Sequence, residues 1–233
     1  MPVTAGKPAD QAPVHPKRER RKEARPGELL AAALDLFVEK GFAATRSEEV
    51  AVRAGVSKGT LFLYFPTKEE LFKAVVRENI SGRFREWDDE FRRFDGSSEE
   101  MVRYCLKVWW ERVGDTRASG ITKLMFSEAQ NFPELAAFYH QEVVQPGQEL
   151  ICRILQRGIE RGEFRPMDVE YTAYSLTAPM LFLTMMKHSL CACMPKDHSL
   201  DPERFIAAQA DNLLHGLCVR PQTPAATATG STS

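Results

Sequence analysis

Residues 41–71 read GFAATRSEEVAVRAGVSKGTLFLYFPTKEEL, and the punctuation inside this run decides the fold. A short helical segment carrying Val50 and Ala51 halts at Ala54-Gly55, and a second opens at Ser57 and runs to about Phe65. Gly55 permits the positive φ that a tight turn between two helices demands. Ser57 is a favoured N-cap, because its hydroxyl accepts from first-turn N–H groups that have no partner inside the helix. Thr45 with Glu48 reads as a capping box for the first segment. Pro66 breaks the second segment, and Thr67 with Glu70 caps the helix that follows. Two short helices joined by a turn of three or four residues containing Gly make a helix-turn-helix. In that motif the second helix lies in the DNA major groove with its N-terminal residues at base edges.

The residue types suit that task. Lys58 can reach a phosphate or a guanine, and Thr60 can bond a base edge or offer its methyl group to thymine. Gly59 lets the backbone approach DNA closely, while Tyr64 and Lys68 follow a turn further on, suited to phosphates. Thr45, at the start of the preceding helix, can hold a phosphate with its hydroxyl and backbone N–H together.

Working outward, the periodicity is helical almost throughout, with no strand-like alternation and no internal repeat, so the fold class is all-α. A first helix opens at Pro26, tolerated in a first turn, and carries Leu30, Ala33, Leu34 and Phe37 on one face before Gly41 stops it. A fourth helix runs from about Lys68 to Phe91, and others are expected over about 98–113, 117–130, 134–160, 168–192 and 202–217. The segment 168–192 is apolar nearly all round and must be covered on several sides. Residues 1–16, with four prolines, and the Thr/Ala/Ser/Pro-rich tail from Pro221 are expected to be disordered. The organisation is therefore a disordered basic arm (1–25), a three-helix DNA-binding domain (26–72), a larger helical bundle (73–219) and a disordered tail (220–233).

Residues 26–76 resemble the DNA-binding domain of the TetR/AcrR family. The resemblance is carried by Gly41-Phe42, Thr45, Val50-Ala51, Ala54-Gly55-Val56-Ser57-Lys58-Gly59-Thr60-Leu61 and Tyr64-Phe65-Pro66-Thr67-Lys68-Glu69-Glu70-Leu71. It implies that Thr45, Ser57, Lys58, Gly59, Thr60, Phe62, Tyr64 and Lys68 contact double-stranded DNA. Two departures matter. Phe62 stands where the family often has Tyr, keeping the ring and losing a hydroxyl, and Ser47 stands where an apolar residue usually packs. The stretch from Phe126 through Asn131-Phe132-Pro133-Glu134-Leu135 to Arg161-Gly162-Glu163-Phe164 is similar, more loosely, to C-terminal domains of the AcrR type. The resemblance implies a homodimeric repressor of a palindromic operator, released by a small apolar or amphipathic effector. Trp109, Phe126, Met180 and His188 are the expected pocket residues, and helices 168–192 and 202–217 the expected dimer interface.

Composition sets the outer bounds. The chain has 233 residues, 43% apolar and 27% charged, which is ordinary for a globular protein. It has no run approaching the roughly 18 apolar residues of a membrane span and no secretory signal pattern at its start, so a cytoplasmic protein is expected. The net charge is −1, but residues 17–73 hold twelve basic against nine acidic side chains, and the remainder nineteen against twenty-three. Lys17, Arg18, Arg20, Arg21, Lys22 and Arg25 concentrate that excess in an arm able to track phosphates. Five scattered cysteines form no even disulfide framework and read as reduced thiols. His188, Cys191, Cys193 and His198 lie close together, but Cys-x-Cys is not a structural-zinc spacing, and no metal or other cofactor is expected. No nucleophile elbow, zinc-protease motif or phosphate loop after a strand occurs, so no enzyme is expected. A sequence-blind architectural DNA binder is the rival reading, distinguishable by a salt-steep affinity without preference for sequence.

Overall fold

The computed structural model describes residues 17–190 and 200–217, with side chains described from Pro26 onward and not at Leu217. Helices α1 (Lys17–Ala44), α2 (Ser47–Arg53), α3 (Lys58–Tyr64) and α4 (Lys68–Asn79) form the N-terminal half. Then come α5 (Phe84–Arg92), α6 (Ser98–Trp109), α7 (Ser119–Glu128), α8 (Pro133–Tyr139) and α9 (Gln145–Glu160). The last two are α10 (Val169–Met185) and α11 (Pro202–Leu217). There is no strand among the described residues, as the sequence requires of an all-α fold. The disorder expected for residues 1–16, and for the tail from Pro221, falls outside the described residues.

Three boundaries differ from the sequence expectation. The backbone of residues 17–25 is helical and continuous with α1, rather than a disordered arm, and Pro26 lies inside the helix. Lys, Arg, Glu and Ala dominate that stretch and rank among the stronger helix formers, which offsets the one backbone bond Pro26 cannot make. The helix expected over 68–91 is broken at Ile80 (φ −131°, ψ −71°), which separates α4 from a 3-10 turn (Ser81–Arg83) and α5. Asn79 Nδ2 donates to Val75 O at 2.8 Å, and a Cβ on Gly82 would come within 2.6 Å of Arg77 O. Only a glycine lets the chain fold back that closely. The segment 134–160 is likewise two helices, joined by a wide π turn (His140–Val144).

The core of the N-terminal half is a triangle of rings. Phe37, Phe42 and Phe72 are fully buried, with centroids 5.4–5.6 Å apart. Leu61 and Leu71 are also fully buried and tie α3 and α4 into that half. The triangle does not stop at the N-terminal half, because Phe132, just before α8, sets its ring edge-on to Phe42 at 4.8 Å. In the C-terminal half α9 packs on α6 and α10, α11 packs on α6 and α10, and α7 packs on both α10 and α1. The apolar α10 buries Ala173, Leu176, Met180 and Leu183.

Candidate nucleic-acid interface

Helix α3 is held by one side and presents the other. Leu61 anchors it in the core, while Lys58, Gly59, Phe62 and Leu63 are exposed. Ser57 caps it as the sequence implies: its Oγ accepts from Thr60 N at 3.1 Å and lies 2.9 Å from Thr60 Oγ1. Thr60 and Tyr64 are half-buried at the edge of this face. A Cβ on Gly59 would find no atom nearer than Ser57 Oγ at 3.8 Å, so the fold itself does not require glycine there. Its bare backbone is consistent with close approach to another molecule.

Lys58 Nζ lies 2.5 Å from Glu48 Oε1 and 5.6 Å from the centroid of the Phe62 ring. The hydrogen bond from Lys58 holds the Glu48 carboxyl below its ordinary pKa. Both side chains are more than half exposed, and such pairs contribute about 0.2–1 kcal/mol at most. A phosphate could therefore replace Glu48 at little cost.

Thr45 is placed otherwise than expected. It is 1% exposed, with Oγ1 2.7 Å from Gly41 O and 3.1 Å from Leu36 O. Its hydroxyl closes the end of α1 and does not face a phosphate. The N-cap of α2 is Arg46, whose backbone N–H donates to Glu49 Oε2 at 3.4 Å. The exposed Arg46 side chain stands where Thr45 was expected to act. Its sequence signal was a lone basic residue directly ahead of Glu48 and Glu49, masked by the stronger capping pattern of Thr45.

Lys68 is also used inside the fold. Its Nζ donates to Phe42 O at 2.9 Å and Thr45 O at 3.1 Å, reaches Ala43 O at 3.4 Å, and lies 4.4 Å from the Phe42 ring centroid. It thereby satisfies the orphan carbonyls at the end of α1, where a cation also meets the favourable end of the helix dipole. This contradicts both a phosphate-binding lysine and a merely solvated one.

The same corner is gripped from the C-terminal half. Glu128, at the end of α7, accepts the Phe42 N–H on Oε1 at 2.9 Å. Gly41 turns there with φ 85° and ψ 167°, and a Cβ would sit 2.6 Å from Glu128 Oε1. A second strap runs over the surface: Arg117, just before α7, pairs with Asp35 at 2.6 Å and Glu39 at 2.8 Å, and Glu39 pairs with Arg53 of α2 at 3.0 Å.

The four expected pocket residues are not gathered into one cavity. Phe126 is 63% exposed, Met180 is buried in the core, and Trp109 is half-buried beside Trp110. His188 is half-buried with Nε2 2.8 Å from Ser119 Oγ, and burial pushes its pKa below the ordinary value. The two prominent grooves both lie along α5, one against Tyr104 and one against α9, and none of the four lines either. Cys191, Cys193 and His198 lie outside the described residues. Cys105 and Cys152 are free thiols, and burial pushes the Cys105 thiol up to about 12.

An all-helical chain with a two-helix reading head fixed to a helical bundle defines a DNA-binding transcriptional regulator. Family comparison agrees: residues 29–75 match the model of bacterial regulatory proteins of the tetR family, and residues 95–190 match a tetracyclin repressor-like C-terminal domain. The chain belongs to the TetR family. It is similar to the HTH-type transcriptional regulator YfiR of Bacillus subtilis, 28% identical over 158 residues that span 64% of this chain and 73% of that one. It is 50% identical to RutR of Escherichia coli over 62 residues, 27% of this chain and 29% of RutR. Among solved structures, FadR from Bacillus subtilis in complex with stearoyl-CoA superposes with a TM-score of 0.62. It is 19% identical, covering 82% of this chain and 98% of that one, a likeness of fold.

Proposed function

We propose that this regulator is a ligand-responsive repressor that binds a palindromic operator as a homodimer. The observation that carries the reading is the outward face of α3. Ser57, Lys58, Gly59 and Phe62 are presented there by a helix whose opposite side, at Leu61, is locked in the core. Thr60 and Tyr64 flank them, and Arg46 supplies a positive charge at the head of α2. Lys68 and Thr45 position this face from behind.

Dimer formation through α10 and α11 is supported by side chains that the single chain leaves uncovered. Tyr171 is 71% exposed, Tyr174 52% and Phe182 47%, all on α10, and Phe182 meets Phe205 of α11 at 5.6 Å. Two-fold symmetry would then set the two α3 helices about 34–36 Å apart, one turn of DNA, or a multiple of it. Effector control is supported by the family and by the Phe42 corner, where the C-terminal half holds the reading head directly. An effector acting through α7 must favour the released state by about 5.5 kcal/mol to swing the population from 1:99 to 99:1.

Selection of bound sequences from a random DNA pool at near-physiological salt tests the reading, combined with sedimentation. The expected result is a dimer selecting a two-fold-symmetric consensus. A monomer, or an affinity without sequence preference and steep in salt, would instead favour the architectural alternative.

A further inference from the structure

Two donors on one face of the α4–α5 junction lack acceptors. Arg83 Nε and Trp87 Nε1 are both buried and have no hydrogen-bond partner among the described residues. Trp87 is 4% exposed, and its ring is held edge-on to Phe84 at 5.2 Å. Residues four apart on a helix share a face. This face is the inner one, because Ile80 and Phe91, three residues before Arg83 and four after Trp87, are also buried. Arg83 belongs to the turn Ser81–Arg83, and no carboxylate pairs with it among the described residues, although arginine is rarely buried without a partner. A buried donor left unmade is costly, a charged one more so. Such a pair persists most readily where an acceptor from outside completes it.

We propose that Arg83 and Trp87 form an anion subsite that takes the carboxylate of an apolar carboxylic acid. The proposal rests on the ligand-responsive reading above and names the chemistry of the ligand. Arginine supplies a positive charge and a planar fork that matches a carboxylate, and the indole adds one directed N–H. The apolar inner face of α5 suits the rest of the molecule. The subsite sits where the chain leaves α4, which packs on α1, so occupancy bears directly on how the reading head is carried.

The test uses the full chain with decanoate and decanol, equal in length and different in charge, by titration calorimetry. Decanoate is expected to bind about tenfold or more tighter than decanol, the range of a charge-assisted bond in a buried site. Arg83→Met should bring the two affinities together, and Trp87→Phe should weaken decanoate by about threefold while leaving decanol unchanged. Neither variant should melt below wild type by more than a few degrees, since each removes a donor that bonds nothing in the free chain. Equal affinities in wild type, or an Arg83→Met protein that keeps the preference, would overturn the subsite. If both probes bind alike and release operator DNA, the subsite fails while the ligand-responsive reading stands. If neither binds, the subsite fails, and the broader reading is decided by release of the selected operator in an effector screen free of carboxylic acids.

Discussion

The outward face of α2 and α3 and the corner between α1 and α2 lie within one short stretch of chain, yet they use charge in opposite ways. On the outward face Lys58 rests against Glu48, Lys40 against Glu49 and Arg53 against Glu39, all at least a third exposed and all replaceable by a phosphate. At the corner Lys68 is tied to backbone carbonyls, Thr45 is sealed inside, and Glu128 holds an N–H from the other half of the molecule. Two lysines ten positions apart, both matching a family pattern of DNA contacts, are thus divided by geometry into one available and one committed. Charge in a sequence says where a cation is; the helix end beside it says whether that cation is free.

The largest test of this contrast is Gly41→Ala. The backbone there lies in a region nearly reserved for glycine, and the added methyl would also displace Glu128. A loss of about 1–3 kcal/mol is expected. It would be read as a thermal midpoint lower by about 4–10 °C. A midpoint unchanged within a degree would mean that the corner is loose.

Glu128→Ala probes the grip from the C-terminal half alone. It leaves the Phe42 N–H unpaired, at a cost of about 1–3 kcal/mol. The Phe42 amide should then exchange with solvent faster than in wild type or in Glu128→Gln, which keeps the accepting oxygen. Equal protection in all three proteins would remove Glu128 from the junction.

A smaller effect concerns His188, which burial holds neutral against Ser119, beside the start of α7. Its folded pKa is lowered, so its share of stability is present above the ordinary value of 6.5 and is lost as pH falls through the folded value. His188→Gln should flatten the decline of the thermal midpoint below about pH 6.5 relative to wild type. An unchanged pH profile would show that the ring is not held neutral.

Much of the fold was legible, because its signals are local. Ser57 and Thr67 cap the helices that their positions predict, and Leu61, Leu71 and Phe37 fall on the buried faces that the spacing assigns. The misplaced site residues all depend on contacts distant in sequence. Thr45 carries a capping signature, but the end of α1 takes its hydroxyl, so Arg46 caps α2 instead. Lys68 meets carbonyls twenty-three to twenty-six residues away, and Glu128 meets Phe42 across eighty-six, neither of which any periodicity encodes. The pocket residues were chosen by type, and type does not say which way a helix faces: Phe126 turned out to solvent. The orphan donors Arg83 and Trp87 became visible only once burial was known.

The most direct test of the division between face and corner is the slope of log operator affinity against log salt for Lys58→Ala and Lys68→Met. The account predicts that Lys58→Ala lowers the slope by about one, the loss of a single phosphate contact, with stability unchanged. Lys68→Met should keep the wild-type slope and lower the thermal midpoint. A reduced slope in Lys68→Met with the midpoint intact, and no change of slope in Lys58→Ala, would contradict it.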